Sequence, residues 1–152
     1  MKFRTEIQLS KSLQEIDHSS KVMMIGSCFS QNIGQKLETA KIPVRHVSHG
    51  ILFNPHSVNQ CLLDIIGNVR YGLDELASND GKHFSFNHHG LKSNDAEEVL
   101  NNVNEGIYND FEYLQDANYI FITLGTAWAY KHKDHGIVAN CHKVPNSEFT
   151  KE

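Results

Sequence analysis

The chain has 152 residues, 39% of them hydrophobic and 21% charged, and carries a formal net charge of −4 at pH 7. That length suits one domain with a core of its own. No apolar run approaches the ~20 residues that a membrane-spanning helix needs, and an acidic balance without a basic block gives no general attraction for nucleic acid.

The first residues, Met1-Lys2-Phe3-Arg4-Thr5-Glu6, carry charges with no apolar stretch behind them, so no secretory signal is expected. Phe3 to Leu9 alternates apolar and polar residues and predicts a short strand. Val22 to Ile25 is a continuous apolar run ending at Gly26, the pattern of a strand buried on both faces in a parallel sheet. After the turn, Gln31 to Ala40 predicts a helix with Ile33, Leu37 and Ala40 in step, weakened by Gly34, which costs roughly 1 kcal/mol against alanine. Val44 to Val47 is a second short strand, ended by Ser48-His49-Gly50.

A helix then begins at Asn54, a capping residue, with Pro55 at its first position. Its stripe is Val58, Cys61, Leu62, Ile65 and Ile66, and Gly67 stops it. Residues 72 to 94 are polar, with a strand or turn around His83 to Phe86. The longest helical pattern runs from Asp95 to Leu114, with Val99, Val103, Ile107, Phe111 and Leu114 in step and Asn94 or Asp95 as cap. Tyr119 to Leu124 predicts another buried strand, ending at Gly125. A hairpin follows: Trp128 to Lys131, a turn over Lys133 to Gly136, then Ile137 to Ala139. Strands alternating with helices favour a parallel sheet covered by helices.

Three cysteines at unrelated spacings, Cys28, Cys61 and Cys141, make no disulfide framework and point to a reducing, cytoplasmic setting. Ten histidines are many for this length. Most read as solvated or capping side chains, and near pH 6 they shift the net charge upward. Cys28, Cys141 and His142 lack metal-ligand spacing, and no glycine-rich phosphate loop occurs, so neither a metal nor a nucleotide cofactor is expected. Trp128 and Tyr130 share one face of the hairpin and read as core. Cys61, on its helix stripe, reads as packing. His88-His89 reads as a polar loop turn, with a pocket-lining role for His89 as the alternative.

The chemistry concentrates at Gly26-Ser27-Cys28. In open parallel sheets, ligands bind beyond the carboxyl ends of the strands, and a thiol at a helix N-terminus sits among unpaired N–H groups that favour negative charge. The same N–H groups can hold a developing oxyanion. Position alone also fits a small buried core cysteine.

Gly26-Ser27-Cys28-Phe29-Ser30 resembles the signature of the GSCFA domain family, itself grouped with the SGNH (GDSL-like) hydrolases. Three further blocks match in order: Gly50-Ile51-Leu52-Phe53-Asn54-Pro55, Thr123-Leu124-Gly125-Thr126-Ala127-Trp128, and Val138 to Pro145 with its Asn140-Cys141-His142-Lys143 core. The resemblance implies a three-layer α/β sandwich with a mainly parallel sheet, SGNH-hydrolase or flavodoxin-like, over residues 1–152 as a single domain whose C-terminal part is missing. It implies Cys28 as nucleophile, with Ser27 in the superfamily's aspartate position. Gly26, Gly50, Asn54, Gly125 and Thr126 would be oxyanion or substrate-binding residues. Ala127 stands where that superfamily has an oxyanion asparagine, and its Asp-x-x-His base motif has no match in this sequence. The base then lies downstream, or is His142 or His49, with His142 favoured as site-lining.

The expected activity is cleavage or transfer of an acyl group, with a small-molecule or carbohydrate acyl ester as partner and no cofactor, nucleic acid or membrane. The alternatives are a non-catalytic ligand- or carbohydrate-binding domain that keeps the fold, and an inactive fragment.

Overall fold

The computed structural model describes residues 7, 8, 10 and 12–152. The strand expected from Phe3 to Leu9 falls outside the described residues except for Ile7 and Gln8, which are not in a strand.

Val22–Gly26 forms β1, buried at every position, as a run without alternation requires. It is the middle strand of a parallel sheet, between β2 (Val44–Ile51) and β6 (Tyr119–Thr123). Alternation along β1 sends Met23 and Ile25 to one face and Met24 to the other. Two helices, α2 (Pro55–Ile66) and α3 (Ala96–Gln115), cover the first face. There Val58, Cys61 and Ile65 pack with Met23, Ile25, Val47 and Leu52, and Phe111 and Leu114 close over them. The opposite face is covered by α1 (Cys28–Thr39). The result is helix, sheet and helix pair, the α/β layering expected from the sequence.

Gly34 explains how α1 gets close. A Cβ there would meet the His46 ring at 2.3 Å and Met24 Cγ at 3.2 Å. The glycine that weakens the helix in isolation is the one that lets it seat on the sheet.

The predicted caps form. The Asn54 side chain accepts the Ser57 N–H at 2.9 Å, Pro55 opens α2 and Gly67 ends it. At α3 the Asp95 carboxylate accepts from Glu97 N–H at 2.9 Å, with Glu97 and Glu98 in the first turn, where the helix dipole favours negative charge.

Two expectations need correction. Tyr119–Thr123 is an edge strand, and its middle residues Ile120, Phe121 and Ile122 are 40–48% exposed instead of buried. No strand pairs with its outer side among the described residues, so its faces lack the neighbours that bury β1. Trp128 and Tyr130 are exposed, not core. Of the hairpin arms β7 (Tyr130–His132) and β8 (Gly136–Val138), His132 and Val138 are buried instead, as is Ala129 just before β7, and Lys151 of the third strand, β9 (Phe149–Lys151), lies over the Trp128 ring.

The polar stretch between residues 72 and 94 is more ordered than its composition suggests. It forms a small antiparallel sheet of β3 (Ala77–Asn79), β4 (Lys82–Phe84) and β5 (Lys92–Ser93). Phe84 and Phe86 from this stretch pack with Val138, Val144 and Phe149 into a core of their own.

Candidate functional site

The carboxyl end of β1 is shaped by an irregularity in β2. Met24 pairs with His46, but Gly26 pairs with Ile51, so two steps along β1 match five along β2. The surplus residues arch away from the sheet, and three anchors fix the arch. The buried Asp110 carboxylate accepts the Ser48 N–H at 2.7 Å while also holding Arg45 Nε at 2.6 Å. The His49 ring reaches Asp64 at 2.9 Å, and the His49 carbonyl accepts the His89 N–H at 2.8 Å. Gly50 ends the arch with φ +74°, a conformation natural to glycine.

Between this arch and the first turn of α1 lies a cavity of about 420 Å³, whose lining includes Gly26, Ser30, Gln31, His46, Gly50 and His89. A larger cavity of about 660 Å³, by Asn68, Arg70 and Tyr108, has no cysteine, serine or histidine in its lining.

Cys28 is the first residue of α1 and is exposed; it is not sealed in the core. Its thiol does not line the cavity, but Gln31, one turn along the same helix face, does. The other two cysteines differ. Burial pushes the Cys61 thiol far up and also raises that of Cys141, which favours the unreactive protonated form.

Ser27, the N-cap, does not cap. Its hydroxyl lies 3.0 Å from Thr123 Oγ1 and its N–H donates to the Thr123 carbonyl at 3.0 Å, so this buried side chain is tied to β6. The first N–H groups of α1 are therefore left without a side-chain acceptor, and no acid lies in the first turn. That arrangement suits an anion or a polarised oxygen.

The other predicted site residues separate. Asn54 is buried as the cap of α2 and does not line the cavity. The N–H groups of Gly125 and Thr126 both donate to the Phe53 carbonyl, at 2.8 and 3.0 Å, and the Thr126 hydroxyl accepts from Trp128 N–H. Those two amides close a turn and do not point at a ligand.

The histidines sort by burial. His49 is 1% exposed, with its ring on Asp64 and stacked 4.2 Å from His88. His142 is also buried; its Nε2 donates to the carbonyls of Ser85 and His88, and its ring stacks on Phe84. His88 is fully buried, its Nδ1 3.0 Å from Ser85 Oγ. His89, its neighbour, is exposed and lines the cavity. A turn of two polar residues is thus divided, one side chain in the core and one at the site. The alternative reading of His89 as pocket-lining fits this placement, and the adjacency allows the division, since neighbouring residues point different ways.

Burial, with lesser repulsion from His49 and His142, holds the His88 ring well below the usual imidazole range, and burial lowers His142 too. Such a ring binds a proton in the unfolded chain before it does so in the folded one. Stability is then full above the ordinary imidazole value near 6.5 and is lost as pH falls below it. The slope for His88 alone is up to about 1.4 kcal/mol per pH unit. Urea midpoints should be lower at about pH 5.5 than at about pH 7.5; equal midpoints would contradict this assignment of neutral buried rings.

A model of the GSCFA family matches residues 21–152. The chain belongs to the GSCFA family. No curated protein and no solved structure matches it. The GSCFA match begins at Lys21, one residue before β1, and takes in the turn, the arch and the hairpin alike.

Proposed function

We propose that this GSCFA chain is an acyl-ester hydrolase or O-acyltransferase of SGNH-like type, with Cys28 as nucleophile. The observation that carries this reading is an exposed thiol at the first position of α1, beside a turn whose N–H groups have no side-chain cap and next to a cavity of about 420 Å³. The sulfur attacks the ester carbonyl, and a tetrahedral oxyanion forms against the open N–H groups of the α1 first turn. Collapse expels the alcohol, which carries away the thiol proton and leaves a thioester on Cys28. Water then releases the acid, or an acceptor hydroxyl takes the acyl group; either restores the thiol. The cavity volume suits a small acyl ester or an acylated sugar unit.

Ser27 is the weaker nucleophile candidate because its hydroxyl is buried and paired with Thr123. His142 is the weaker base candidate because its Nε2 already serves two carbonyls. The test is turnover of p-nitrophenyl acetate by the wild type and by Cys28→Ala.

A binding-only domain that keeps the fold is the second reading. It is favoured by the engagement of the Gly125 and Thr126 amides with Phe53, which removes two donors from any oxyanion site.

A further inference from the structure

His89 and Asn140 lie 51 residues apart in sequence and meet at 2.5 Å, His89 Nδ1 against the Asn140 amide nitrogen. The direction of that bond is fixed from outside. Asn140 Oδ1 accepts the backbone N–H of His142 at 2.8 Å. A backbone N–H can only donate, so the oxygen of the amide must face it. The NH2 end therefore faces His89, and it too can only donate. Nδ1 of His89 must accept, which puts the hydrogen of the neutral ring on Nε2.

The frame around this pair is stiff. His142 holds its N–H in place from a left-handed backbone, φ +47°, with its ring anchored on Ser85 and His88. Asn140 N–H is bonded to the Phe86 carbonyl at 3.0 Å, and His89 N–H to the His49 carbonyl at 2.8 Å. His89 Nε2 has no hydrogen-bond partner among the described residues. The ring lines the same cavity as Gly26, Ser30 and Gln31.

We propose that His89 is a hydrogen-bond donor to the substrate, its Nε2–H binding the acyl carbonyl oxygen, with Asn140 as the positioning residue that fixes the tautomer. A triad asparagine that accepts from its histidine leaves Nε2 free to take a proton. Here the asparagine donates, and the imidazole presents N–H instead of a lone pair. The proposal rests on Cys28 acylation and adds a donor from the cavity wall to the open amides of the helix, to offset the negative charge that develops in attack.

Asn140→Asp is the decisive variant. One carboxylate oxygen still accepts from His142, while the other accepts from His89 and pulls the ring hydrogen to Nδ1, turning Nε2 into an acceptor without changing the shape of the side chain. With p-nitrophenyl acetate, kcat should fall about 100-fold with KM little changed, as for loss of one oxyanion donor. His89→Gln, which keeps an amide N–H, should retain more kcat than His89→Ala. Nitrogen NMR of the ring gives a readout apart from turnover: the wild type should show the hydrogen on Nε2 and Asn140→Asp on Nδ1. A wild-type ring protonated on Nδ1 would overturn the proposal. So would wild-type kcat in Asn140→Asp while turnover still depends on Cys28. Turnover that survives Cys28→Ala would instead sink the acyl-enzyme reading itself.

Discussion

Cys28→Ala should reduce turnover of p-nitrophenyl acetate to the rate of the uncatalysed reaction, while the protein unfolds at an unchanged urea midpoint. Both halves follow from where the side chain sits. An exposed residue at the first helical position removes little buried surface when truncated, so a stability change within about 0.5 kcal/mol is expected. The loss of rate should be complete because no other side chain of the turn can replace the sulfur. Ser27 is buried against Thr123, and the Ser30 hydroxyl donates to the Ser27 carbonyl at 2.8 Å. Cys28→Ser should rescue poorly, since a hydroxyl is a far weaker nucleophile than a thiolate near neutral pH unless a base activates it. Undiminished turnover in Cys28→Ala would transfer the chemistry to another residue or end the acyl-enzyme account.

Gly26→Ala should be the most destabilising single substitution at the site. Gly26 has φ +126°, where an L side chain is strained, and a Cβ would lie 2.0 Å from the Thr123 carbonyl oxygen. That oxygen belongs to the neighbouring strand and also accepts the Ser27 N–H, so it cannot withdraw without opening the β1–β6 pairing. Overpacking against backbone and positive-φ strain together predict a loss of about 3 kcal/mol or more. Denaturant unfolding would measure it. A variant as stable as the wild type would mean that the turn does not have this geometry.

The layered core could be read from the sequence because it depends on local patterns. The unbroken apolar run of Val22 to Ile25 marked the central strand. Asn54, Pro55 and Gly67 bounded α2, and the five-residue stripe from Val99 to Leu114 gave α3. Each signal lies within a few residues of the element it specifies. The arch in β2 had no such signal, since it depends on Asp110 and Asp64 reaching Ser48 and His49 from distant helices. Ile120 to Ile122 looked like β1 in composition, yet an edge position leaves them exposed, and only sheet order distinguishes the two.

At the site, the Gly26-Ser27-Cys28 turn was legible as a strand-to-helix junction with a thiol at its tip. Of the histidines, only the pocket-lining alternative for His89 was legible. Burial of His49, His88 and His142 is set by partners that the sequence does not place beside them, and the His89–Asn140 bond closes over 51 positions. The helix expected over Gln31 to Ala40 forms as α1, but the reason for Gly34 within it was not legible: its propensity cost is local, whereas its close contact is with Met24 and His46.

The most direct measurement is the mass of the protein after brief exposure to p-nitrophenyl acetate, followed by mapping of the modified peptide. A single acetyl group on Cys28 that disappears with time as p-nitrophenol release continues is the predicted result. An unmodified Cys28 during continued turnover, or an acetyl group held stably elsewhere, would contradict the assignment of that sulfur as the nucleophile.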